Sequence, residues 1–209
     1  MASAPRFAAY QRLPGLVLGF HGCEKETAER LLRGEVKHLK QSQNKYDWLG
    51  NGIYFWENDP LRAWEFAQER HALAEGQQGR IEEPFVIGAV LDPGYCLNLM
   101  DRRALAELAV AHDELVSMYA KTGKPLPQNR GRDFGARFLD RAVVEMLHAV
   151  RAELDAMGDE PVPPFDSMRS AFPEGDFLYE GSGFQAKNHI QIAIRNPDCI
   201  KGYFRPIQD

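Results

Sequence analysis

Residues 49–57 read LGNGIYFWE, and the fold class turns on this stretch. Gly50 and Gly52 flank Asn51 and lead straight into an apolar, aromatic run. Glycine reaches the backbone angles of a sharp turn, and IYFWE has the residue types of a buried strand. The stretch therefore predicts a tight turn into a strand. Asp59-Pro60 follows, with an aspartate suited to cap free N–H groups and a proline suited to a first helical turn. A helix is expected from there through RAWEFAQERHALAE, stopping at Gly76.

Upstream, LVLGFHG (16–22) is a short apolar run ended by glycine, the pattern of a buried strand. TAERLLR (27–33), closed by Gly34, predicts a short amphipathic helix, and the polar residues 35–48 predict a loop. Downstream, FVIGAVLD (85–92) is a second buried strand ended by Pro93-Gly94. Residues 101–121 and 136–154 carry helical periodicity around a loop, TGKPLPQNRGRDFG. The Pro/Asp-rich GDEPVPPFD (158–166) separates them from three strand-like pieces, FLYEG (177–181), HIQIAIRN (189–196) and IKGYF (200–204). Strands frame both ends with helices between them. The expectation is one α+β domain over 1–209, with a mixed or antiparallel sheet split in chain order and a helical insertion or cap at about 101–157.

Composition narrows the function classes. With 44% hydrophobic and 26% charged residues the chain is that of a soluble globular protein, and no run approaches the ~18 apolar residues of a membrane span. The opening MASAPRFAAYQRLPG lacks the apolar core of a signal peptide. Three scattered cysteines, Cys23, Cys96 and Cys199, form neither a disulfide framework nor a zinc knuckle, so a cytoplasmic setting with inert thiols is expected. His71, His112, His148 and His189 lack partners at ligand spacing, and no metal is expected. The net charge of −5 argues against a general nucleic-acid binder. The basic clusters at 36–45, 129–141 and 195–205 read as solvated faces.

Three pieces carry residue types suited to chemistry. Phe20-His21-Gly22 sets an imidazole at a strand end beside backbone that a ligand can approach closely. Gly50–Phe55 presents Tyr54 from a rigid strand, with a ring face for stacking on a planar heterocycle. On 189–194, period-2 alternation puts Ile190, Ile192 and Ile194 on one face and His189, Gln191 and Ala193 on the other. A glutamine among isoleucines needs hydrogen-bond partners when buried. Each piece also has a structural reading: a core histidine satisfied by a carbonyl, a hairpin turn before a core strand, a glutamine satisfied by backbone.

In this order, His-Gly, then Gly-x-Gly-Ile-Tyr-Phe, then a helix with small and aromatic residues, then a late polar residue on a strand resembles the poly(ADP-ribose) polymerase branch of the ADP-ribosyltransferases. Like diphtheria-type toxins, that branch is marked by a His-Tyr-Glu triad. The resemblance covers 17–67 well and 189–204 in part; 95–176 matches nothing in the family. It implies an ADP-ribosyltransferase-like fold with NAD as co-substrate. His21 would bond the adenosine-side ribose, the Gly22 backbone would hold the nicotinamide carboxamide, and Tyr54 would stack on the nicotinamide ring. Ala63 and Phe66, one turn apart, would supply a small contact and a second aromatic wall, although Phe66 equally suits a core contact.

The departure falls at Gln191, where the family has its catalytic glutamate. A glutamine keeps a hydrogen bond but supplies no charge to the cationic state formed as the nicotinamide–ribose bond breaks. Chain extension is therefore not expected; either another carboxylate, Glu180 in preference or Glu174, reaches the site, or catalysis relies on ground-state strain and a preorganised pocket. Gly181 and Gly183 would let the Glu180 segment bend inward. The loop Gly181–Asn188 would help select the acceptor, and Phe184 suits either a contact with that acceptor or a cover for the core. The expected activity is NAD-dependent mono-ADP-ribosyl transfer to a macromolecule, protein or nucleic acid. By family analogy and compact size this would be an intracellular toxin or defence effector with a neutralising partner protein and no membrane. The alternatives are an NAD glycohydrolase and a catalytically silent NAD or ADP-ribose binding module.

Overall fold

The computed structural model describes residues 15–131, 134–158 and 161–207. The amino-terminal stretch read above for a signal peptide lies largely outside them. In chain order the elements are β1 (Val17–Glu24), α1 (Lys25–Leu32), β2 (Ile53–Glu57), α2 (Pro60–His71), β3 (Pro84–Leu91), β4 (Cys96–Asn98), α3 (Arg102–Thr122), α4 (Phe138–Met157), β5 (Ser167–Phe172), β6 (His189–Ile194) and β7 (Ile200–Phe204). The strands form one mixed sheet in the order β4-β5-β6-β2-β1-β3-β7. Its only parallel pair among the described residues is β4–β5, so the α+β class holds.

A parallel pair needs a long crossover, and α3 and α4 are that crossover. They are not a detachable cap. Ala104, Ala111, Leu115, Val143, Val144 and Leu147 pack with Leu49, Leu97, Met168 and Ala193 into a core on one face of the sheet. On the other face Ala28 and Leu31 of α1 join Ile53, Phe55, Ile87, Leu91, Ile192 and Ile194. The middle strands β2 and β6 are thus covered on both faces, which explains their nearly unbroken apolar runs. Full burial of a side chain such as Phe55 or Ile192 contributes about 1.5–3 kcal/mol.

The Asp59-Pro60 start of α2 is as expected: the Asp59 carboxylate accepts from Arg62 N–H at 2.8 Å, and Pro60 sits in the first turn. The helix ends at His71 rather than Gly76, because Ile81 comes back over its last turn, Ile81 N–H donating to Arg70 O at 3.4 Å. FLYEG is not a strand. Residues 177–188 form an irregular loop closed by one Phe177–Gln185 bridge, with Phe177, Leu178 and Tyr179 exposed. The strand in this region is SMRSAF, whose polar residues disguised it. Ser167 Oγ donates to Pro93 O at 2.6 Å, and Arg169 makes a two-pronged pair with Glu57 at 2.6 and 2.9 Å. The three-residue β4 also went unread. No described helix is long and apolar enough to cross a membrane.

The feature that positions the site is a break in the sheet. β1 pairs with β3 along its whole length, but with β2 only at Gly19–Glu57 and Phe20–Trp56. Beyond Phe20 the two strands part.

Candidate functional site

Strict alternation would put His21 with Phe55, on the face opposite Tyr54. The ladder stops before it reaches them, and the imidazole lies in the resulting gap. Its Nδ1 is 2.7 Å from Tyr54 O. A carbonyl can only accept, so Nδ1 carries the proton and Nε2 is left as a bare acceptor. Burial lowers the His21 pKa, and the carbonyl bond only partly opposes it, which keeps the ring neutral at pH 7. A neutral imidazole with a free acceptor suits a hydroxyl donor such as a ribose.

Tyr54 is held at its far end. Its hydroxyl donates to Gly50 O at 2.8 Å and accepts from Leu49 N–H at 3.1 Å, so the turn that precedes the strand also fixes the ring. Burial, with the Asp47 carboxylate nearby, pushes its pKa well above the ordinary value. The phenol therefore stays neutral, and what it offers the cavity is a ring face rather than a base.

His21 and Tyr54 line one cavity of about 1060 Å³, together with Phe66 and Gln191. Four of the seven residues expected at the site are thus brought together. Gln191 reaches the cavity from β6, paired to Trp56 of β2 and Ser170 of β5. Its Oε1 accepts from Trp48 Nε1 at 2.6 Å. An indole N–H only donates, so the amide orientation is fixed and its NH₂ is turned away from Trp48.

Gly22 and Ala63 meet each other rather than the cavity. A Cβ on Gly22 would lie 2.1 Å from Ala63 O and 3.2 Å from Ala67 Cβ, so glycine is what lets α2 press onto β1. Alternation nevertheless turns the Gly22 N–H and C=O toward β2. Leu18 O accepts from Asn58 N–H at 2.9 Å on that side, the Phe20–Trp56 pair follows, and Gly22 lies past the last pair. The residues of α2 that line the cavity are Arg62, Phe66 and Arg70, a stripe at four-residue spacing offset by one from Ala63.

The carboxylate expected from Glu180 is not there. Ser182 N–H donates to Tyr179 O at 3.0 Å, Gly181 turns at φ +74°, and Glu180 is left exposed at the tip of the loop. Glu174, between β5 and that loop, does line the cavity. It is tied to Arg62, a side chain only 5% exposed, by bonds of 2.9, 3.0 and 3.1 Å. His189 Nδ1 lies 3.7 Å from Glu174 Oε2 and donates to Lys187 O at 2.7 Å, while burial holds that ring neutral. Asp47 and Asp176 are the other lining carboxylates, and Asp47 is engaged within its own turn by Asn44 N–H at 2.7 Å.

Sequence reasoning missed Arg62, Trp48, Trp56 and the priority of Glu174 over Glu180. The Arg62-Phe66-Arg70 spacing was a usable signal. Trp48, in a polar loop, and Glu174, far along the chain from Arg62, offered none. The cysteines are buried and unpaired, and burial pushes the Cys23 thiol up to about 12 and Cys96 and Cys199 to about 11. Among the described residues no group of three or more His, Cys, Asp or Glu is placed to hold a metal. Comparison with protein-family models, with curated proteins and with solved structures finds no match.

Proposed function

We propose that the protein binds NAD in this cavity and transfers one ADP-ribose to a macromolecular acceptor, as an ADP-ribosyltransferase of the His-Tyr type. The observation that carries the reading is the meeting of His21 and Tyr54, from two strands that part at this point, on one cavity. The break between β1 and β2 supports the split-sheet fold of that class.

In this reading the nicotinamide stacks between Tyr54 and Phe66 and its carboxamide meets the Gly22 main chain. A ribose hydroxyl donates to His21 Nε2. The bond from nicotinamide nitrogen to ribose C1′ breaks with its electrons leaving on nicotinamide. The acceptor nucleophile then bonds to C1′ and gives up its proton. Positive charge develops on the ribose, and Gln191, whose Oε1 is committed to Trp48, supplies no negative charge to answer it. Glu174, Asp47 and Asp176 are the carboxylates that line the cavity, and Arg62 takes up much of the field of Glu174.

That last pair of facts favours a second reading, a silent NAD or ADP-ribose binding module. Incubation with labelled NAD and cell lysate separates the two. Transfer leaves label on protein or nucleic acid, and a silent module binds NAD with no turnover. Free nicotinamide and ADP-ribose alone would replace both readings with a glycohydrolase. A toxin or defence role with a neutralising partner rests on family analogy alone.

A further inference from the structure

The cavity-facing stripe of α2 carries two arginines with different surroundings. Arg62 is engaged by the Glu174 carboxylate, with Glu69 a further 3.5 Å from its Nη1. Arg70 has no carboxylate within ion-pair distance among the described residues. Its Nε donates to Gly79 O at 2.7 Å and its Nη2 to Gln78 O at 2.9 Å. Carbonyls fix the guanidinium without neutralising it, and of its five N–H donors two are used and three remain.

The seat is built for this side chain. Gly79 stands at φ +78°, and a Cβ there would lie 1.8 Å from Arg70 Nη2. The loop that supplies both carbonyls is pinned to the end of α2, where His71 Nδ1 donates to Ile81 O at 2.9 Å. Arg70, Gly79 and Ile81 all line the cavity, as does Lys40, which also has no ion pair among the described residues. An arginine whose fork is already ordered loses little further freedom on binding an oxyanion. Phe66 lies one turn back along α2, about 6 Å, a spacing that suits a phosphate one ribose away from a stacked ring. The cavity volume, about 1060 Å³, is at the upper end for a small-molecule site and fits a dinucleotide.

We propose that Arg70, seated by Gly79, is an anion-binding residue that holds the diphosphate of the dinucleotide. This rests on the NAD reading above. Calorimetric titration with NAD, with ADP-ribose and with nicotinamide riboside, which has no phosphate, tests it. Arg70→Ala should weaken NAD and ADP-ribose by about 10- to 100-fold, the scale of charge-assisted bonds, and leave the riboside unchanged. Gly79→Ala, which keeps the charge but displaces the fork, should give the same pattern. Equal losses for the riboside, or unchanged NAD affinity in Arg70→Ala, would overturn the proposal and leave the NAD reading standing. Wild-type protein that binds neither NAD nor ADP-ribose would overturn both.

Discussion

Replacing Gln191 with glutamate adds a full charge to the cavity while changing one atom of the side chain. Trp48 Nε1 donates to Gln191 Oε1 at 2.6 Å, and one glutamate oxygen would keep that bond. The other would take the place of the amide NH₂. A unit charge about 5 Å from a developing cation, at an effective dielectric near 20, is worth about 3 kcal/mol. That corresponds to roughly 100-fold in rate, and partial burial of the new charge subtracts from it. We expect the maximal rate of nicotinamide release to rise about 10- to 100-fold, because the gain exists only as charge develops. KM for NAD should move by no more than about threefold. Single-turnover release of nicotinamide at pH 8, where the glutamate is ionised, is the assay, with a thermal melt to show that the variant is folded. An unchanged or lower rate in a folded variant would remove Gln191 from the reacting ribose.

Three other outcomes follow from the site. Tyr54→Ala and His21→Ala should each abolish NAD turnover in protein that remains folded by circular dichroism, and a wild-type rate from either would refute the pocket. Gly22→Ala would bring a Cβ to 2.1 Å from Ala63 O, so the overpacking should cost about 1–3 kcal/mol and lower Tm by roughly 2–10 °C. An unchanged Tm would show that α2 is not pressed against β1. Stability should fall as pH drops from 7 to 5. Burial lowers the pKa of His21 and His189, and that of His148 to about 3, below the ordinary 6.5. The unfolded chain then takes up protons the folded chain refuses, so the stability present above 6.5 is lost on acidification. His148 alone accounts for about 2 kcal/mol of that loss, and urea denaturation at the two pH values, with His148→Gln flattening the difference, checks it.

Much of the fold was readable because its signals are local. Asp59-Pro60 carries a cap and a first turn within two residues, and LGNGIYFWE carries its turn and strand without outside help. The alternating and continuous apolar runs of β1, β3 and β6 likewise declare themselves within a few residues. SMRSAF did not, since its serines and arginine become acceptable in a strand only once Pro93 and Glu57 are in reach. The failure of FLYEG as a strand has the same origin, because among the described residues it bridges only Gln185.

The sequence by itself singled out residues by their chemical character: a histidine before a glycine, a tyrosine behind a rigid turn, a glutamine among isoleucines. Only the tertiary structure decided how they meet. The parting of β1 from β2 after Phe20 lets His21 share a cavity with Tyr54, which strand alternation alone forbids. The one-residue offset that puts Arg62 and Arg70 on the cavity, and Ala63 against Gly22, is set by how closely α2 packs on β1. Glu174 rather than Glu180 reaches the site because a buried arginine far away in sequence holds it there. Short-range patterns encode turns, caps and periods; where a ladder ends, and which charge finds which partner, depends on segments that meet only when the chain is folded.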